Sequence, residues 1–134
     1  MVSMIEKAAM ILERCPVVMI ASLTGDGYPR VVPVSKLEAD GIGTIWFATG
    51  ADAEKARDFR HDPKAGLCFY ENSNSVGLTG HIEMVDGPRK KEIWQDWMLD
   101  HFPGGPEDPN YCQLCFKAER GTFWIDGRFE NLAL

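Results

Sequence analysis

The stretch Thr44–Pro63, TIWFATGADAEKARDFRHDP, constrains the fold more than any other part of the chain, because a strand pattern runs almost directly into a helix pattern. Thr44 to Thr49 is β-branched and aromatic, Gly50 and Asp52 supply turn and N-cap chemistry, Ala53 to His61 is built from helix formers, and Pro63 forbids continuation. A helix N-terminus therefore faces the end of a strand. Its unbonded N–H groups and the positive end of the helix dipole suit an anion, and Lys55 adds a full charge in the same turn. Strand-turn-helix joints are common and a first-turn lysine is ordinarily solvated, so the segment suggests a phosphate without requiring one. No GxxxxGK[ST] pattern occurs, which excludes an ordinary P-loop nucleoside triphosphatase.

The flanking chain is read from periodicity. Ser3 and Glu6 form a capping box, and Met4, Ile5, Ala8, Ile11 and Leu12 recur at helical spacing, so residues 3–14 are predicted to be an amphipathic helix ended by Cys15-Pro16. Val17–Leu23 and Pro29–Leu37 flank the turn cluster Thr24-Gly25-Asp26-Gly27 and predict a hairpin. Pro33 interrupts the second strand, which is therefore expected to lie at an edge or to bulge, leaving backbone groups for a ligand.

Ala65–Glu71 and Ser75–Val85 read as further strands, with Gly77 and Gly80 marking bulges or close backbone approach. Asp86-Gly87-Pro88 opens a helix with Ile93, Trp94, Trp97 and Met98 on one face, reaching Leu99; HFPGGPEDPN then stops it. Tyr111–Glu119 and Thr122–Ile125 are read as two last strands joined at Arg120-Gly121, and the tail to Leu134 has no clear pattern. Six or seven strands and three helices predict a mainly β fold, a small antiparallel barrel with flanking helices, within one domain spanning residues 1–134.

Composition narrows the function. A chain of 134 residues that is 45% hydrophobic can build its own core. A net charge of −6 without a basic run argues against a nucleic-acid backbone as partner. No run approaches the ~20 apolar residues of a membrane span, and Glu6 and Glu13 stand where a signal peptide would be basic, so a cytoplasmic location is expected. Cys15, Cys68, Cys112 and Cys115 are accordingly expected to be free thiols.

Candidate chemistry is sparse. Cys112 and Cys115 form a CxxC, but on a strand they point to opposite faces roughly 10 Å apart, beyond disulfide or shared-metal reach. His61, His81 and His101 stand singly, so no metal site is expected. No GxSxG occurs to support hydrolysis, and no side chain declares itself as a catalytic acid or base. Trp94 and Trp97 read as packing residues, whereas Trp46 and Trp124 could stack on a planar ligand at a cleft. If the hairpin and the Thr44–Thr49 strand are neighbours, Arg30 and Lys55 can converge on the helix N-terminus as a phosphate clamp beside the open strand edge.

In order, the leading helix, GDGYPRVVPV, GTIWFATG, EKARDFRHDPKAGLCF, GHIEMVD and HFPGGPEDP resemble the pyridoxamine 5′-phosphate oxidase-like flavoproteins of the split-barrel fold, most closely their general stress protein branch. The resemblance covers nearly the whole chain. It implies FMN in a cleft between the subunits of a homodimer, contacted by Arg30, the backbone of Val31, Val32, Pro33 and Val34, by Phe47, Ala48 and Thr49, and by Lys55, with Trp124 closing the cleft. Ala53 stands where the family often has Ser or Thr, so one phosphate hydrogen bond is expected to come from Thr49 or the backbone. The chain also lacks the family's C-terminal Arg- and His-containing substrate segment, so vitamin B6 oxidation is not expected. The resemblance implies an FMN-dependent oxidoreductase acting on a small molecule. Its alternatives are a non-catalytic flavin-binding stress module, a binder of deazaflavin or haem, and a ligand-free interaction protein.

Overall fold

Period-two burial builds the barrel wall. In β1 (Val17–Leu23), Val18, Ile20 and Ser22 turn inward while Met19 and Ala21 turn outward, as in a sheet with one packed face. A turn with Gly27 at φ +85° reverses the chain into β2 (Pro29–Asp40), paired antiparallel with β1 from Pro29↔Leu23 to Ser35↔Val17. The computed structural model describes all 134 residues. Its opening helix is α1 (Met4–Glu13), and β2 is followed by β3 (Thr44–Gly50), α2 (Glu54–His61), β4 (Lys64–Glu71), β5 (Asn74–Val85), α3 (Arg89–Glu92), β6 (Tyr111–Ile125) and β7 (Arg128–Ala133). The strand order is β3-β2-β1-β4-β5-β6-β7, and β3 also pairs with the first half of β6, so β1 to β6 close an antiparallel split barrel. Strand β7 extends the sheet from the second half of β6.

The barrel is filled by Ile20, Ile45, Phe47, Leu78, Leu114, Phe116 and Phe123, against which α1 packs Ala8, Ile11 and Leu12. Each fully buried side chain of this size contributes roughly 1.5–3 kcal/mol. Ser3 caps α1 by accepting the Glu6 N–H, as its sequence spacing predicts. The last turn of α1 has no basic residue, and its C-cap is Arg14; Lys36 reaches from β2 and donates to the Leu12 carbonyl, adding to the positive charge that helix C-termini favour.

The expectation that the proline strand lies at an edge holds over its first half. β2 pairs with β3 only from Lys36 to Asp40, with a register shift between Lys36 and Glu38, so residues 29–35 have no strand partner on that side. Thr24 N–H donates to Tyr28 O and Lys36 N–H to Pro16 O. Antiparallel alternation then turns the backbone of even-numbered residues toward β1 and that of Val31, Pro33 and Ser35 toward the open edge. In β5 the shift falls between Thr79 and Gly80, where a Cβ on Gly80 would lie 1.9 Å from the Lys117 carbonyl oxygen. Gly77, by contrast, has open space around it.

Three readings of the second half are corrected. The helix expected over residues 86–99 is four residues long, α3, followed by an extended Gln95 and a 3₁₀ turn over Asp96–Asp100. Tertiary contacts outweigh helical periodicity: Tyr111 Oη donates to Lys90 O, Trp94 packs edge-on to Tyr111 at 5.4 Å, and Gln95 Nε2 donates to Leu37 O. Met98, Phe102 and Tyr111 thereby form a second small core over Leu37 and Ala48. The two last strands are one, β6, because Gly121 is a packing glycine whose Cβ would meet the Phe123 ring at 2.5 Å. The unpatterned tail is β7, reached through Asp126 and Gly127 at φ +54° and +73°, the signs of a type I′ hairpin turn.

Candidate functional site

A cleft of about 430 Å³ opens where the unpaired edge of β2, the end of β3 and the start of α2 meet. Pro33, Val34 and Ser35 line one side, Ala48, Thr49 and Gly50 another, and Asp52, Ala53 and Lys55 the foot. Trp97, His101 and Phe102 wall it from the segment after α3, and Asn110 closes the corner. Asn110 also pins the turn into α2, accepting the Ala51 N–H at its carbonyl and the Asp52 N–H at its Oδ1. Two further grooves, of about 450 and 490 Å³, lie on the outer sheet face over Ala21, Gly66 and Thr79. Neither contains a buried polar atom without a partner.

The foot of the cleft gathers hydrogen-bond donors without partners. Ala53 caps α2 without a side-chain hydrogen bond, so the first-turn N–H groups of α2 lack intrahelical acceptors. Lys55 makes no ion pair or hydrogen bond, and partial burial pulls its pKa below the ordinary lysine value. Thr49 is 5% exposed and its Oγ1 has no partner. Three unused donors of different kinds therefore share one corner.

Arg30 is placed differently from the sequence expectation of a shared clamp. Its Nε donates to Asp58 Oδ2 at 3.0 Å and its Nη1 to Glu54 Oε2 at 2.6 Å, both on α2. Ser22 Oγ also donates to Asp58 Oδ2, at 2.7 Å. Burial pushes the Asp58 carboxyl upward, but the hydrogen bonds from Ser22 and Arg30 outweigh it and hold its pKa below the usual aspartate range. Arg30, Ser22 and Asp58 thus fasten α2 to the first hairpin.

The other sequence candidates divide. Pro33, Val34, Ala48, Thr49 and Lys55 are brought together on the cleft. Phe47 is fully buried in the barrel, Val32 packs against that core, and Val31 is exposed on the outer face. Trp124 pairs with Ser75 and Phe129, roughly 40 Å along β6, at ~3.3 Å per residue, from Cys112, the partner of Thr49. It does not line the cleft of its own chain. Ser35, Trp97, His101, Phe102 and Asn110 were missed, since only the folding of the 89–110 segment over β2 and β3 brings most of them there. Cys112 and Cys115 are free thiols on β6 whose pKa values burial pushes up, which leaves neither poised as a thiolate.

Residues 4–125 match the family model described as pyridoxamine 5′-phosphate oxidase. The chain belongs to that family. Among solved structures, this family member is similar to a protein related to general stress protein 26 of B. subtilis, from Clostridium acetobutylicum, at 24% identity and a TM-score of 0.86 over 97% of this chain and 94% of that one. General stress protein 26 from Bacillus anthracis matches at 19% identity and a TM-score of 0.81 over 97% and 98% of the two chains. A heme binding protein from Mycobacterium smegmatis matches at 21% identity and a TM-score of 0.78 over 98% of this chain and 58% of that one. At these identities the likenesses show a common fold. No curated protein matches the chain. No helix is long and apolar enough to cross a membrane.

Proposed function

We propose that this pyridoxamine 5′-phosphate oxidase family member binds FMN in the cleft, as a homodimer, and acts as a flavin oxidoreductase on a small molecule. The observation that carries the reading is the orphaned Thr49 hydroxyl at the foot of α2. A buried hydroxyl without a partner costs about 1–3 kcal/mol, and a phosphate oxygen would satisfy it. The neighbouring donors fit the same group: Lys55 supplies a point charge and the start of α2 supplies N–H groups aligned with the helix dipole.

Beyond the phosphate corner, the free edge of β2 offers the backbone of Pro33 and Ser35 to the rim of a planar ring. Trp97 stands across from it, its indole N–H held by Gln95 Oε1 at 2.6 Å, with His101 edge-on at 6.0 Å. These groups would orient the ring and exclude water from one side. When bound, the flavin accepts or donates hydride, and the protein binds, orients and shields it.

The homodimer rests on an exposed row across the outer sheet, Tyr70, Ser75, Trp124 and Phe129, in register over β4 to β7. Tyr70, Trp124 and Phe129 are 69%, 45% and 62% exposed, an apolar patch of the kind that marks an interface. Across such an interface Trp124 could serve the partner's cleft.

A second reading, haem, is favoured by His101 in the cleft and by the similar fold of the heme binding protein. The absorbance of freshly purified protein separates the two, as flavin bands or a Soret band. Titration with FMN, followed by quenching of flavin fluorescence, tests the phosphate corner. Lys55→Ala is expected to weaken FMN at least tenfold, the size of one charge-assisted hydrogen bond, and to leave riboflavin unaffected. Equal affinity of the wild type for FMN and riboflavin would refute the reading.

A further inference from the structure

We infer that Glu54 is an internal competitor for the anion corner and sets how strongly the cleft discriminates a phosphate monoester from its neutral counterpart. The inference rests on the phosphate reading above. Glu54 is the first residue of α2, and its carboxylate occupies Arg30 Nη1. It thus places a negative charge at the helix end where an incoming phosphate would lie. Before any ligand arrives, Arg30 and Lys55 face three carboxylates, Asp52 in the cleft lining and Glu54 and Asp58 on Arg30. The corner carries donors without a net positive charge.

The two carboxylates on Arg30 are not equivalent. The Asp58 side chain is 7% exposed and is held by both Ser22 and Arg30, so removing it would strip the fastening of α2. The Glu54 side chain is 66% exposed and has Arg30 as its one partner. Water screens an ion pair of this kind, and the long side chain regains rotamer freedom on release. Glu54 is therefore the exchangeable group. A phosphate monoester, with about −1.5 to −2 charges at pH 7, repels Glu54 from the same helical turn, while Arg30 keeps Asp58. A ligand without the phosphate has no reason to displace it.

Neutralising Glu54 should consequently strengthen phosphate binding, the reverse of what loss of a contact residue does. The test is titration of wild type, Glu54→Gln and Lys55→Ala with FMN and with riboflavin, which lacks the phosphate, read by flavin fluorescence. Glu54→Gln is expected to tighten FMN roughly tenfold and to leave riboflavin unchanged. FMN affinity that is unchanged or weaker in Glu54→Gln overturns the inference; if Lys55→Ala still weakens FMN alone, the phosphate reading survives that result. Should the wild type bind both flavins equally and Lys55→Ala alter neither, the phosphate reading falls and this inference falls with it.

Discussion

In the proposed site, Thr49 is a residue whose cost to the fold and use to a ligand have opposite signs. Its hydroxyl is buried without a partner, so Thr49→Val removes an unsatisfied polar atom at nearly constant shape. The unliganded variant is expected to melt higher than wild type, by about 1 kcal/mol of stability or more, while its FMN affinity falls. Thermal melts without ligand and flavin titration check the two halves; a variant that loses stability without ligand would show that the hydroxyl is already satisfied. The placement of Lys55 and Thr49 at one joint was legible from sequence because a strand-turn-helix passage fixes both locally. The commitment of Arg30 was not. Glu54 and Asp58 stand one turn apart on α2, visible as spacing, but which face of α2 meets β2 is set by Ser22 and Arg30 across the fold.

Strands are tied to one another by polar clasps as well as by the ladder. His81 on β5 lies between Glu119 on β6, at 3.0 Å from Nδ1, and Glu83, at 3.1 Å from Nε2. The hydrogen bond with Glu119, then that with Glu83, raises the His81 pKa above its ordinary value. A raised pKa stabilises the folded state fully below the unfolded histidine value of about 6.5, and that stabilisation disappears as pH rises through the folded value. The stability difference between wild type and His81→Gln is therefore expected to shrink with rising pH from about 6 upward, as measured by urea unfolding. A difference that grows with pH would refute the clasp. The β7 hairpin shows how an element escapes a sequence reading. Asp126-Gly127 between FWI and RFENL is a strong hairpin signal, yet its partner strand looks broken at Gly121 until the crowding by Phe123 is seen.

At the scale of the whole molecule, the outer sheet carries an exposed apolar row. The row Tyr70, Trp124 and Phe129 lies on a face away from the core, and self-association would bury it. Wild type is expected to elute at twice its 15.0 kDa mass. Tyr70→Glu with Phe129→Glu is expected to elute at the single-chain mass and to bind FMN at least tenfold more weakly, a loss worth about 1.4 kcal/mol. Size-exclusion chromatography with light scattering checks the first and flavin titration the second; a monomeric wild type that binds FMN tightly would refute the shared cleft. Local order in the sequence determined much of this protein: α1, α2, the first hairpin, β3 to β5, the open proline edge and the strand-turn-helix joint at Thr44–Pro63. Each follows from periodicity, caps or turns within a few residues. Tertiary structure alone decided the closure of β3 on β6, the collapse of the 86–99 helix into a cap, the cleft wall of Trp97 and His101, and the carboxylates on Arg30. These depend on contacts between distant residues, whose burial and hydrogen bonds outweigh local propensity.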